Sequence, residues 1–177
     1  EALVAGVTEA LGQELTSPAV VFGNSLGGAI AFQFALHRPD LVKNLLLVSP
    51  AGAPWTPGEM DELRTLFEVD TRAKAVSFIQ RLHANPVWYA RAIAPGMAAR
   101  FRAAPMRFLL ARLRPEQALT PAELARIPGP SLVLWGQREQ VLPRSSIAYF
   151  RDHLPGTVET PEDWGHCPQL DRAGPLV

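Results

Sequence analysis

Two apolar runs meet at six residues, Gly23-Asn24-Ser25-Leu26-Gly27-Gly28. Before them, residues 19–22 form a short, β-branched run, the pattern of a strand buried on both faces. After them, residues 26–36 are apolar almost all round, as in a buried helix. A chain that passes this abruptly from strand to helix has few conformations open to it. The turn holds Ser25 in strained backbone, and the residues two before and two after it approach closely. A side chain at either would clash, so Gly23 and Gly27 meet the need, and Gly28 lets the helix pack near the strand. The Gly-x-Ser-x-Gly pattern is short, and a glycine-rich turn with an incidental serine is the plainer alternative. Context favours more. The turn exposes a hydroxyl at the C-terminal edge of a sheet, where α/β proteins place ligands. The helix start adds a positive dipole end and free N–H groups, with the Leu26 N–H aimed where an oxyanion would form.

The rest of the chain supplies the sheet. Leu3, Val7, Leu11 and Leu15 repeat at four-residue spacing, which predicts a helix over residues 2–15, broken at Thr16-Ser17-Pro18. Residues 44–48 read as a strand stopped at Ser49-Pro50-Ala51-Gly52. Residues 54–127 show no convincing strand; helices are expected near 58–68, 72–83, 97–113 and 121–126. Thr56-Pro57 and Thr120-Pro121 read as N-caps followed by proline at the first helical position. A strand at 131–136, a helix at 144–153 and a weak strand at 157–160 follow, and residues 165–177 begin one more element. That order implies an α/β fold, a mostly parallel sheet flanked by helices. Residues 1–53 and 128–177 form its core, and residues 54–127 a helical insertion.

Composition bounds the partners. Lys and Arg number 17 against 17 Asp and Glu, so bulk electrostatics favours neither nucleic acid nor an anionic membrane. The arginines at 91, 100, 102, 107, 112 and 114 form a run without acids, read as a solvated face in preference to a site for an anionic substrate. The single cysteine, Cys167, precludes an internal disulfide. No apolar stretch is long enough to span a bilayer. A small-molecule substrate is the expected partner, with no cofactor and no metal. The chain opens on Glu1 within a helical pattern, so a leader peptide stays open, and a cytoplasmic setting is the expectation.

A serine hydroxyl is a weak nucleophile and needs a base held by an acid. Four histidines are present. His37 ends a buried helix, where a capping role suffices; His83 and His153 read as surface residues. His166 lies in Trp164-Gly165-His166-Cys167-Pro168, a loop after the final strand that faces the strand C-termini, and is the candidate base. The acid should also follow a strand. Glu139 is the one acid in the loop at 136–143, and the loop after the strand at 44–48 offers none.

The order Ser25, Glu139, His166 with these local sequences resembles the α/β-hydrolase family. Its nucleophile elbow is similar to Gly23-Asn24-Ser25-Leu26-Gly27-Gly28, its acid loop to residues 136–143, and its histidine loop to residues 165–170. The resemblance implies a helical cap, or lid, at 54–127. The family more often has Asp where Glu139 stands, although some members use Glu. Its early strands, and the loop that donates a second oxyanion N–H, would precede Glu1. The strand at 19–22 would then be an unpaired apolar edge.

The implied reaction is acyl transfer to Ser25. His166 acts as general base and then acid, Glu139 fixes its tautomer, and water attacks the acyl-enzyme. Loss of one oxyanion donor costs roughly 100- to 1000-fold in turnover, so the chain by itself is expected to be a poor catalyst. A serine at position 25 removes relatives that need an aspartate nucleophile. The Gly-Asn-Ser elbow is similar to those of hydrolases that cleave carbon–carbon bonds in ring-fission products and of some esterases. A carboxylic ester or similar apolar acyl substrate is the leading expectation, carbon–carbon cleavage the first alternative, and a non-catalytic ligand-binding member of the fold the second.

Overall fold

The computed structural model describes residues 2–171. In chain order the elements are α1 (Ala2–Glu14), β1 (Ala19–Asn24), α2 (Leu26–His37), β2 (Val42–Val48), α3 (Pro57–Phe67), α4 (Arg72–Leu82), α5 (Ala90–Arg102), α6 (Ala104–Leu110), α7 (Pro121–Leu124), β3 (Ser131–Leu134), α8 (Ser145–His153), β4 (Gly156–Glu159) and α9 (Pro168–Asp171). Residues 172–177, the far end of the element expected from 165, lie outside the described residues.

Two compact units divide the chain. The first comprises Glu1–Ala53, Leu119–Trp135 and Ser145–Pro161. It holds a four-stranded sheet in the order β1-β2-β3-β4. Every pair is parallel, with Gly23 opposite Leu47, Leu47 opposite Val133 and Val133 opposite Val158. The sheet is parallel because each strand returns through a helical connection, as the alternation of strand and helix signals requires. Phe32, Phe34, Leu45, Leu47, Val133 and Trp135 are almost wholly buried. Phe150 of α8 stacks on Phe32 of α2, with ring centroids 5.5 Å apart, and meets Trp135 at 6.4 Å. These rings join the sheet to two of its helices, and burial of each contributes roughly 1.5–3 kcal/mol.

One expectation fails here. The run at 19–22 is not buried on both faces: Val20 is 61% and Phe22 50% exposed. They lie on one face of β1 because alternate strand residues point the same way. β1 is also the edge of the described sheet, paired only with β2, which agrees with the edge position the resemblance implied. The strand runs two residues further than expected, through Gly23 and Asn24, because both pair with β2.

The second unit comprises Pro54–Ala118, Gly136–Arg144 and Glu162–Val177. Its core is the face of α5 bearing Ala90, Ala94, Ala98 and Phe101, which packs with Ala75, Phe78 and Ile79 of α4. Small residues at four-residue spacing let the two helix backbones approach. Thr56 and Thr120 cap α3 and α7 through reciprocal hydrogen bonds with Glu59 and Glu123, as the Thr-Pro pairs predicted. The single helix expected over 97–113 is two helices. Pro105, at the second position of α6, has no N–H to give the carbonyl four residues back, and the chain breaks at an extended Ala103. α5 begins earlier than expected, at Ala90, and carries Pro95 inside it. Among the described residues no helix is long and apolar enough to cross a membrane.

Candidate active site

The turn at Ser25 belongs to the first unit. Ser25 has φ 55° and ψ −122°, a left-handed backbone that L-residues rarely adopt. Such strain persists only where the surroundings over-determine it, and here they do. The Ser25 N–H donates to the Val48 carbonyl at 3.1 Å. The Ser25 carbonyl accepts from Gly28 at 2.9 Å, Ala29 at 3.3 Å and Ala51 at 2.9 Å. Asn24 Nδ2 donates to the same Val48 carbonyl at 2.9 Å. The serine is thus fixed between the end of β1, the end of β2 and the first turn of α2. Leu26 opens α2, so its N–H has no helical carbonyl four residues back to bond.

The glycines divide in role. A Cβ on Gly23 would stand 2.6 Å from the Gly27 carbonyl oxygen and 2.8 Å from Gly28 Cα. One on Gly28 would stand 2.8 Å from Pro50 Cα, so the loop after β2 packs against it as well as the strand. Gly27 differs from expectation: a Cβ there meets nothing within 4 Å. The close approach is made by its backbone oxygen, while its own Cα faces open space.

Glu139 and His166 belong to the second unit, and the structure brings them together. His166 Nδ1 and Glu139 Oε2 are 2.8 Å apart, with the histidine 3% and the glutamate 7% exposed. Glu139 Oε1 accepts the Val141 N–H at 2.7 Å and the Leu142 N–H at 3.1 Å. An acceptor-only carboxylate on Nδ1 assigns the proton there and leaves Nε2 as the basic nitrogen. The two loops fit backbone to backbone. The Arg138 N–H donates to the Trp164 carbonyl at 2.9 Å, and a Cβ on Gly136 would collide with that carbonyl. The Arg138 guanidinium reaches Asn85 at 2.8 Å and Asp163 at 2.7 Å.

His83 corrects the sequence reading. It is 2% exposed, not a surface residue. Its Nδ1 lies 2.5 Å from Asp171 Oδ1, its Nε2 3.1 Å from the Tyr89 hydroxyl, and Asp171 Oδ2 accepts the Ala84 N–H at 2.8 Å. The same backbone grips the histidine loop. The Cys167 N–H donates to the Leu82 carbonyl at 2.9 Å, and Gly165 lies so close to His83 and Ala84 that a Cβ would stand 2.5 Å from the Ala84 nitrogen. Asp171 therefore ties α9, directly after the histidine loop, to the end of α4. Burial, with Glu139 and Asp171 adding negative charge, pushes the Cys167 thiol up to about 12, so it stays protonated and weakly nucleophilic at neutral pH. Among the described residues no group of three or more His, Cys, Asp or Glu stands together as a metal-ligand set.

Comparison with known proteins places this geometry in context. The chain is 35% identical over 86 residues to the (lyso)-N-acylphosphatidylethanolamine lipase of Bos taurus, covering 47% of this chain and 24% of the lipase. It is 28% identical over 185 residues to the 2-hydroxymuconate semialdehyde hydrolase of Pseudomonas sp. (strain CF600), covering 95% of this chain and 61% of that hydrolase. The chain thus spans less than two thirds of the length of either relative. Its fold superimposes on the 2-hydroxy-6-oxo-6-phenylhexa-2,4-dienoate hydrolase of Rhodococcus sp. strain RHA1 with a TM-score of 0.81 at 20% identity, covering 98% of this chain and 66% of that one. Residues 4–173 match the family model described as alpha/beta hydrolase fold, and the chain belongs to that family.

Proposed function

We propose that the protein hydrolyses a carboxylic ester, or a similar apolar acyl compound, through an acyl-enzyme on Ser25. The observation that carries this reading is the buried His166–Glu139 pair. A carboxylate that accepts two backbone N–H groups on one oxygen and the imidazole on the other has no rotational freedom left, which is what an orienting acid requires. His166 Nε2 takes the Ser25 proton as the acyl carbon is attacked and returns it to the leaving group. Glu139 holds the tautomer and stabilises the imidazolium. Water enters by the same route to release the acid. The Leu26 N–H supplies one oxyanion donor. Helices α3 to α6 of the insertion act as the lid for the acyl group. The lipase among the relatives supports an ester substrate.

A second reading is carbon–carbon cleavage of a ring-fission dienone by the same residues. It is favoured by the similarity along 95% of the chain to the semialdehyde hydrolase. Labelling with a fluorophosphonate tests the shared chemistry. Ser25 should be modified, and His166→Ala should slow that modification at least about a hundredfold. Equal labelling of both proteins would overturn both readings. Turnover of p-nitrophenyl esters against ring-fission dienones then decides between them.

A further inference from the structure

The arginine run noted in the sequence acquires a second role from what lies beside it. Residues 72–115 hold nine Arg and Lys and no Asp or Glu, although the whole chain is neutral. Within that stretch α6 is unusual. Its sequence is APMRFLL, yet none of its seven residues is buried, and Phe108 is 59% exposed. A surface helix normally turns an apolar stripe into a core; here Met106 and Leu110 pack only partly on the core of the second unit, and Phe108 stays at solvent.

α6 forms one wall of a groove of about 460 Å³, within the 300–1,000 Å³ of small-molecule sites. Phe67, Val69, Phe101 and Leu110 supply its apolar surface. The Phe67 and Phe101 rings are stacked at 6.2 Å, and each packs on Phe78, at 5.7 and 5.0 Å, so that surface is backed by a rigid aromatic cluster. Arg102 and Arg107 line the same groove, together with Glu68 and Asp70. Lys74 forms exposed ion pairs with both acids, at 3.8 and 3.0 Å, which adds a third positive charge beside the groove's two acids. Arg102 gives one N–H to the Asp70 carbonyl at 2.7 Å. Neither Arg102 nor Arg107 takes part in an ion pair among the described residues.

We propose that this groove binds a soluble single-chain amphiphile with an anionic head, its alkyl tail on Phe67, Phe101 and Leu110 and its carboxylate or phosphate on Arg107 and Arg102. Guanidinium forks match such heads in two-point geometry. A cationic amphiphile would meet like charge, and a nucleic acid would leave the aliphatic wall of Leu110 and Val69 without a partner. The site lies wholly in the second unit and is independent of Ser25.

Titration calorimetry with decyl phosphate, below its micellar concentration, tests the assignment. The chain should bind it at least about tenfold more tightly than decyltrimethylammonium. Arg107→Glu should weaken decyl phosphate at least about tenfold and leave decanol unchanged. Leu110→Trp, which fills the groove from a half-exposed position, should weaken both. Ser25→Ala should bind as the unsubstituted chain does, so failure of the acyl-transfer reading leaves this test intact. Equal affinity for the two charged probes, an undiminished Arg107→Glu variant, or binding to anionic vesicles or RNA without binding to monomeric decyl phosphate would overturn the proposal.

Discussion

At the scale of single residues, the nucleophile turn shows how a local sequence can be read correctly for a partly wrong reason. Gly23 and Gly27 are symmetrically placed about Ser25, which suggested that each lacks room for a side chain. In the structure only one of them is crowded. The Gly27 carbonyl occupies the space beside Gly23, and that leaves Gly27 itself outward-facing on the first turn of α2. The two substitutions should therefore part company. Gly23→Ala forces a Cβ against backbone that cannot move without disturbing Ser25, and should cost about 1–3 kcal/mol in urea unfolding. Gly27→Ala should be neutral or stabilise by up to about 1 kcal/mol, since alanine is the better helix former. Equal destabilisation by both would show that the turn constrains them alike. Ser25, Glu139 and His166 could be singled out as candidates because each sits in a short segment whose neighbours betray a turn. His83 was not legible, because what makes it a buried residue is a carboxylate 88 positions away.

At the scale of elements, the helical segment was legible as helical and poorly legible in its boundaries, and proline is the reason both times. Pro95 lies within α5, which starts at Ala90 where a helix was expected only from 97, while Pro105 sets the start of α6. Proline removes a donor in either place; whether the helix survives depends on packing that periodicity alone does not reveal. The link between α4 and α9 is of the same long-range kind. Asp171 bonds His83 and Ala84, and the Cys167 N–H bonds Leu82, so the chain is held at two points directly after His166. Asp171→Ala removes the acceptor of both the His83 and the Ala84 N–H groups, and should cost about 1–3 kcal/mol. Slackening the loop by even 1 Å can cost up to about a hundredfold in rate. The maximal rate of Ser25 phosphonylation should fall about ten- to a hundredfold in this variant, with the half-saturating reagent concentration unchanged. Hydrogen exchange at the Cys167 amide should quicken. A lowered melting temperature with unchanged labelling would assign the pair to helix packing alone.

At the scale of the whole molecule, the parallel order of the sheet followed from the alternation of strand and helix signals, but burial along that sheet did not. A run such as Ala-Val-Val-Phe reads as a central strand because hydrophobicity records what a residue prefers, not what covers it. In this chain β1 combines two exposed features. Its outer edge carries backbone N–H and C=O groups with no strand beside them among the described residues, and one of its faces shows Val20 and Phe22 to solvent. Either feature alone is tolerable; in a polypeptide of these 177 residues by themselves, the two together form an apolar template for pairing with a second copy. Self-association of such a polypeptide through β1 should therefore grow with concentration. A charge on that face opposes it without touching the core. Val20→Lys should leave the unfolding free energy within about 0.5 kcal/mol, as expected for a surface position, while shifting sedimentation velocity profiles toward the monomer across the micromolar range. Lysine at Glu14, at the end of α1 and away from the strand, controls for added positive charge. A shift of equal size from Glu14→Lys would trace the association to net charge and not to the edge of the sheet.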